Sequence, residues 1–197
     1  MNATAEPRLA PPGAGLPKTE LVIGRLLFGF KRRSGSRDSF NTQFNRERQR
    51  IRQLVKSCGA DSLARRALIA RARGMEDSSR NWSVLMTLDH LRIVHLGVTR
   101  IIGNLTKGKM PEGTASTATV KPSSQVTADV IAEYEQSCDT LLATVAAAGN
   151  LKTKLRYAHP WFGPLDAHGW HALAAGHLGI HRVQIERIIS ALEASSE

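Results

Sequence analysis

"HPWFGPLDAHGWHALAAGHLGIHRVQI", residues 159–185, holds five of the chain's seven histidines and two of its three tryptophans. Asp166, two residues after Pro164, is a natural helix N-cap, and apolar residues then recur at three- and four-residue spacing. A helix over 166–194 is expected, its inward stripe running Trp170, Leu173, Ala174, His177, His181, Gln184, Ile185, Ile188 and Leu192. Four helical steps of about 100° return to within roughly 40° of the start, so His177 and His181 project from one face. That face is also the apolar one. Two imidazoles in a core each need a polar partner, and a shared metal ion would supply it. The bland alternative is a pair of structural histidines, each satisfied by a carbonyl or carboxylate. HxxxH spacing alone leaves both open.

Asn81 and Ser83 are both good caps for a second helix that runs to about Leu105. Its inward stripe is Trp82, Met86, His90, Ile93, Val94, Gly97 and Ile101, which places His90 among buried neighbours. Three imidazoles from two facing helices suit a divalent ion with an open coordination position. A zincin pattern is excluded, because Leu178 stands where the general-base Glu would be. No ExxH pair lies on an inward face, which argues against a two-metal carboxylate site. His95 is about 140° round the helix from His90 and is expected at the surface or between helices. His168 and His171 fall off the inward stripe and read as a rim or exposed face. His159 precedes Pro160, so it is held extended in a loop that lines the entrance. Gln184 reads as core rather than as a residue that orients a ring. No general base stands out; His159 and the first-turn histidines are the residues left for that role.

The helical period also appears over 39–57 (Phe40, Phe44, Glu47, Ile51, Leu54, Val55), over 61–72 and over 127–148 (Val130, Tyr134, Cys138, Leu141, Val145). "KGKMPEGTASTATVKPSSQ", residues 107–125, is a polar loop. No stretch alternates as a strand does. Four long helices and one short one imply an all-α four-helix bundle over residues 39–197, with residues 1–38 as a basic N-terminal extension. Residues 1–18 read as a partly disordered arm, and "TELVIGRLLFGFKRRSGSR" (19–37) is expected to pack on the domain body or on a second subunit.

Charge is distributed unevenly. Residues 1–80 carry 17 Lys/Arg against 7 Asp/Glu, whereas residues 81–197 carry 10 against 10. The basic half suits either a solvated arginine face or attraction to phosphates, acidic lipids or an acidic partner. Cys58 and Cys138 have no CxxC spacing and read as reduced thiols of a cytoplasmic protein. No apolar run is long enough for a transmembrane segment, and no secretory signal is recognisable.

"NWSVLMTLDHLRIVH" (81–95), "HPWFGPLDAHGWHALAAGH" (159–177) and "HLGIHRVQI" (177–185) together resemble the DinB/YfiT-like superfamily of metal-dependent proteins over residues 39–192. In that family a Trp-Ser opening leads into a helix bearing one ligand His, and an HxxxHxxQ helix supplies two more. The resemblance implies a four-helix bundle, often a dimer, that holds one divalent ion, commonly zinc or nickel, on His90, His177 and His181. Characterised relatives add low-molecular-weight thiols to electrophiles, isomerise maleylpyruvate or hydrolyse. The expectation is a cytoplasmic metal-dependent enzyme that activates a water or a low-molecular-weight thiol against a small-molecule electrophile, as a thiol transferase or hydrolase. The alternative is a non-catalytic binding module whose basic N-terminal helices contact nucleic acid or an acidic partner. Membrane-surface attachment through residues 20–33 is a third option.

Overall fold

The computed structural model describes residues 7–195. Its helices are α1 (Lys18–Ser34), α2 (Arg37–Ser57), α3 (Ala60–Ala64), α4 (Val84–Thr106), α5 (Val130–Ala147) and α6 (Ala167–Ala194), with a 3-10 turn at Asp77–Ser79. Helices α2, α4, α5 and α6 form the four-helix bundle that the periodicity predicts: α4 packs along α5 and α6, and α6 packs along α2. No described helix is long and apolar enough to cross a membrane.

Local chemistry explains where the bundle helices start. At α2 the Ser36 hydroxyl accepts from the Ser39 N–H and the Ser39 hydroxyl accepts from the Ser36 N–H, a reciprocal cap. Ser83 caps α4 by accepting from the Met86 N–H, and Asp166 caps α6 by accepting from the Gly169 N–H at 2.8 Å. The α2 stripe then buries Phe40, Phe44 and Ile51 against the other rods. Two charged groups on the same face are matched across the bundle. Arg48 reaches Glu135 and Asp139 on α5, each at 2.6 Å, and Glu47 accepts from Arg182 on α6 at 2.6 Å. Several N-terminal arginines are therefore engaged internally: Arg52 pairs with Glu135, Arg71 with Glu20, and Arg80 with Asp77.

Two segments depart from the periodicity. The helix expected over 61–72 stops at Ala64, and the chain beyond runs extended. There the backbone bonds sideways instead of to itself: the Ala67 N–H donates to the Trp82 carbonyl and the Ile69 N–H to the Arg80 carbonyl. Arginine side chains satisfy the carbonyls, Arg80 at Ile69 and Arg187 at Ala70, both at 2.8 Å. Ala67 and Ile69 are buried while Leu68 is 51% exposed, which is the alternation of a strand-like segment. The loop before α6 also contains a short antiparallel hairpin, β1 (Tyr157–His159) with β2 (Gly163–Leu165), where no strand was expected. Three paired residues are too short for an alternation to be read. Gly163 supplies the positive φ, +68°, that closes its turn.

Helix α1 lies outside the four rods and runs against α6. Its Glu20 carboxylate accepts from the Gly74 N–H at 2.6 Å and pairs with Arg71, Arg25 donates to the Trp161 carbonyl at 2.6 Å, and Arg32 pairs with Asp166 at 3.0 Å. Every α1 residue keeps part of its surface exposed, including Val22, Ile23, Leu26, Leu27 and Phe30 at 55–74%. Before it, the Ala10 N–H donates to Asp77 and the Gly13 N–H to Glu76, so residues 10–13 lie against the 3-10 turn. Of the arm expected over 1–18, residues 1–6 fall outside the described residues.

Gly74 links this layer to α6. Its φ is +83°, and a Cβ there would lie 2.7 Å from Ile180 Cδ1. Gly74→Ala is expected to cost about 1–3 kcal/mol, from left-handed backbone strain plus overpacking. Urea denaturation of the variant against the parent chain measures it.

Candidate metal centre

The long polar loop and the start of α4 bring His90 into place. The first four turns of α6 bring His177 and His181 to the same point, and the ligand-capable nitrogens of the three rings all lie within 4.8 Å of one another. His177 Nε2 is 3.3 Å from His90 Nε2 and 3.0 Å from His181 Nε2. His90 and His181 are buried and His177 is half-buried. Trp82 walls the cluster: its ring stacks on His181, interplanar angle 11°, and lies 5.2 Å from the His90 ring.

Proton placement follows from the neighbours. The Val120 carbonyl can only accept, so the His90 Nδ1–H donates to it, at 2.6 Å. The Gln184 amide donates through Nε2 to the Ser79 carbonyl at 2.7 Å, which turns its Oε1 toward His181 and makes His181 Nδ1 the donor, at 2.6 Å. Both rings are neutral, so their Nε2 atoms carry bare lone pairs. Burial is the first cause of that neutrality: it lowers His90 to about 4 and holds His177 and His181 well below the usual imidazole range. Lys121 lowers His90 and His181 further, and His177 and His181 are also lowered by neighbouring imidazoles.

Two lone pairs therefore face the same His177 nitrogen, and a single N–H there could not point at both. The donor set fits a divalent cation instead. Bonds of about 2.0–2.1 Å in a tetrahedral array place nitrogens about 3.3 Å apart, close to the 3.0 and 3.3 Å found. Imidazole nitrogen is a favoured ligand for zinc, nickel and copper.

A cleft of about 1210 Å³ gives access to the three rings, with α1, α4, α6, the polar loop and the hairpin contributing its walls. His159 lines it, as expected for an entrance residue. Its Nδ1 accepts from the Trp161 N–H at 3.1 Å, and burial lowers it to about 4, so it presents an Nε2–H donor rather than a base.

The remaining histidines divide. His95 lies between helices, fully buried, 3.2 Å from Ser137 Oγ and 3.6 Å from Cys138 Sγ. His168 and His171, expected on a rim or exposed face, are 6% and 0% exposed. The correction has a simple cause: α1 and α2 cover the first turn of α6, with the Arg32 carbonyl on His168 and the Phe40 ring against both imidazoles. Gln184, read as core, is buried and also orients the His181 ring. The Val120 carbonyl was not anticipated, because a main-chain oxygen leaves no mark on residue type.

His171 makes a pH prediction. Neither ring nitrogen has a partner among the described residues, and burial, with His168 and Arg37 nearby, lowers it from 6.5 to about 4. The unfolded chain then binds the extra proton between those values, so stability falls as pH drops from 6.5 to 4, by at most about 3 kcal/mol. His171→Leu should flatten that part of the stability–pH curve, as followed by urea denaturation at pH 7, 5.5 and 4.5.

The sequence model of the DinB superfamily matches residues 43–185. Among solved structures, a crystal structure of TT2238, a four-helix bundle protein, is similar with a TM-score of 0.56 and 20% identity, covering 77% of this chain and 98% of that one. At that identity the likeness speaks to the fold. No curated protein matches the chain significantly.

Proposed function

From the premise that the chain belongs to the DinB superfamily, we propose that it is a metalloenzyme whose divalent ion, zinc or nickel, is held by His90, His177 and His181. The observation that carries this reading is the convergence of three Nε2 atoms, two of them on rings, His90 and His181, whose protons are already committed at Nδ1. When bound, such an ion supplies Lewis-acid activation, lowering the pKa of a water or low-molecular-weight thiol so that it attacks a small electrophile near neutral pH.

The chain's own residues perform the rest. Val120 and Gln184 hold two rings in the tautomer that leaves Nε2 free, as second-sphere acceptors do in metal sites. Trp82 prevents the His90 and His181 rings from rotating away. His159 offers an N–H along the cleft wall, able to donate to a substrate carbonyl or oxyanion. His168 and His171 sit beneath α1 and α2, outside the cleft lining, and take no part in proton transfer.

Elemental analysis tests the ligand set. The purified chain is expected to carry about one divalent ion, and His177→Ala should lose it; undiminished metal in that variant would sink the reading. Gln184→Met keeps the volume but removes the acceptor at His181 Nδ1. It should weaken zinc affinity by about 10–100-fold in a chelator competition while the fold persists.

A further inference from the structure

The cleft wall supplied by α1 contains a cation that nothing described so far uses. Lys31 lines the cleft, half-buried, and its ammonium makes no hydrogen bond or ion pair among the described residues. It approaches α6 beside His177: Nζ lies 3.5 Å from where a Cβ on Gly176 would be. The charged groups facing it are Arg46 and Glu47, and Glu47 is committed to Arg46 and Arg182. Burial, then Arg46, pushes the Lys31 ammonium below its usual range, and Glu47 offsets this only in part.

The surroundings carry the same sign. The cleft is lined by five basic and three acidic side chains; with Lys121 paired to Glu76 and Glu20 paired to Arg71, four basic groups, Lys31, Arg73, Arg100 and Lys109, stand against Glu112. Three neutral imidazoles would leave the charge of a divalent ion uncompensated. Beside these cations the wall is apolar. Ile23 and Leu27, 57% and 66% exposed, face the cleft together with Phe28, which packs on Phe162 at 4.6 Å between centroids.

We propose that the cleft binds an amphipathic acid, its apolar body covering Ile23 and Leu27 and its carboxylate held by the Lys31 ammonium. The inference rests on the functional reading of this cleft and names the substrate class, yet the lysine contact can be measured without metal.

Calorimetric titration of the full chain, stripped with a chelator, with octanoate and with neutral octanamide tests it. Octanoate is expected to bind about tenfold tighter than octanamide, as one charge-assisted hydrogen bond supplies. Lys31→Gln should bring octanoate down to the octanamide level and leave octanamide unchanged, and Lys31→Arg should keep the preference. Equal affinities in the parent chain, no octanoate binding at millimolar concentration, or a preference that survives Lys31→Gln would each overturn the proposal. Zinc content separates the two readings. Lys31→Gln should retain metal, whereas metal retained in His177→Ala defeats the metalloenzyme reading and leaves the Lys31 result standing.

Discussion

The structure turns on where two protons sit. With His90 Nδ1–H given to the Val120 carbonyl and His181 Nδ1–H given to Gln184, the opposite nitrogens have nothing to donate and nowhere to turn. They face His177 across 3.0–3.3 Å in a buried place where protonating a ring is disfavoured. A single His177 proton can serve only one of these two acceptors, whereas a cation can serve both. Holding the rings in that arrangement needs rigid supports on both sides.

Those supports belong to the irregular parts of the chain. Gln184 is fixed by the Ser79 carbonyl, so the 3-10 turn sets the His181 tautomer through one side chain. The same turn is tied to the polar loop by Lys121, which reaches Glu76, Ser78 and Ser79, and by Thr117, which donates to Glu76. Ser123 N–H to Asp89 anchors the far end of that loop on α4, next to His90. The long loop is thereby a structural member, since its Val120 carbonyl sets the other tautomer. The bundle rods bring the imidazoles close, and the loop and turn decide which nitrogen each presents.

Much of this was legible in the residues. Period-3.6 burial marked α2, α4, α5 and α6, and Ser83 and Asp166 marked two of their starts correctly. The stripes through His90, His177 and His181 pointed to the rings that meet. On α4, however, the stripe expected to face the core continues through Val94, Gly97 and Ile101 along the cleft, half-buried, and the core face runs through Leu88, Leu91, His95, Val98, Ile102 and Leu105. What stayed hidden has physical reasons. Residues 65–72 have helix-compatible composition, but their hydrogen bonds go to residues 80–82 and to arginine side chains, a tertiary choice that local propensity does not register. His168 and His171 were misplaced because helical phase describes one rod against one core. Here α1 and α2 cover the start of α6 from another side, so two faces of the same helix are buried. Main-chain acceptors such as Val120 have no residue-type signature at all.

The family match begins at residue 43, after α1 has ended. The imidazole cluster thus lies within the matched span, whereas one wall of the cleft above it belongs to a segment outside that span. That wall is fastened at both ends, through Glu20 to Gly74 and Arg71 and through Arg32 to Asp166, yet it buries no residue completely. A helix held by its ends over an open cleft presents side chains without filling the space beneath them. Phe28 alone of its apolar side chains reaches the bundle core among the described residues, whereas Ile23 and Leu27 stay exposed along the cleft. The two parts belong to different layers of one chain, the imidazoles to the rods and an apolar stretch of the cleft wall to the helix laid across them.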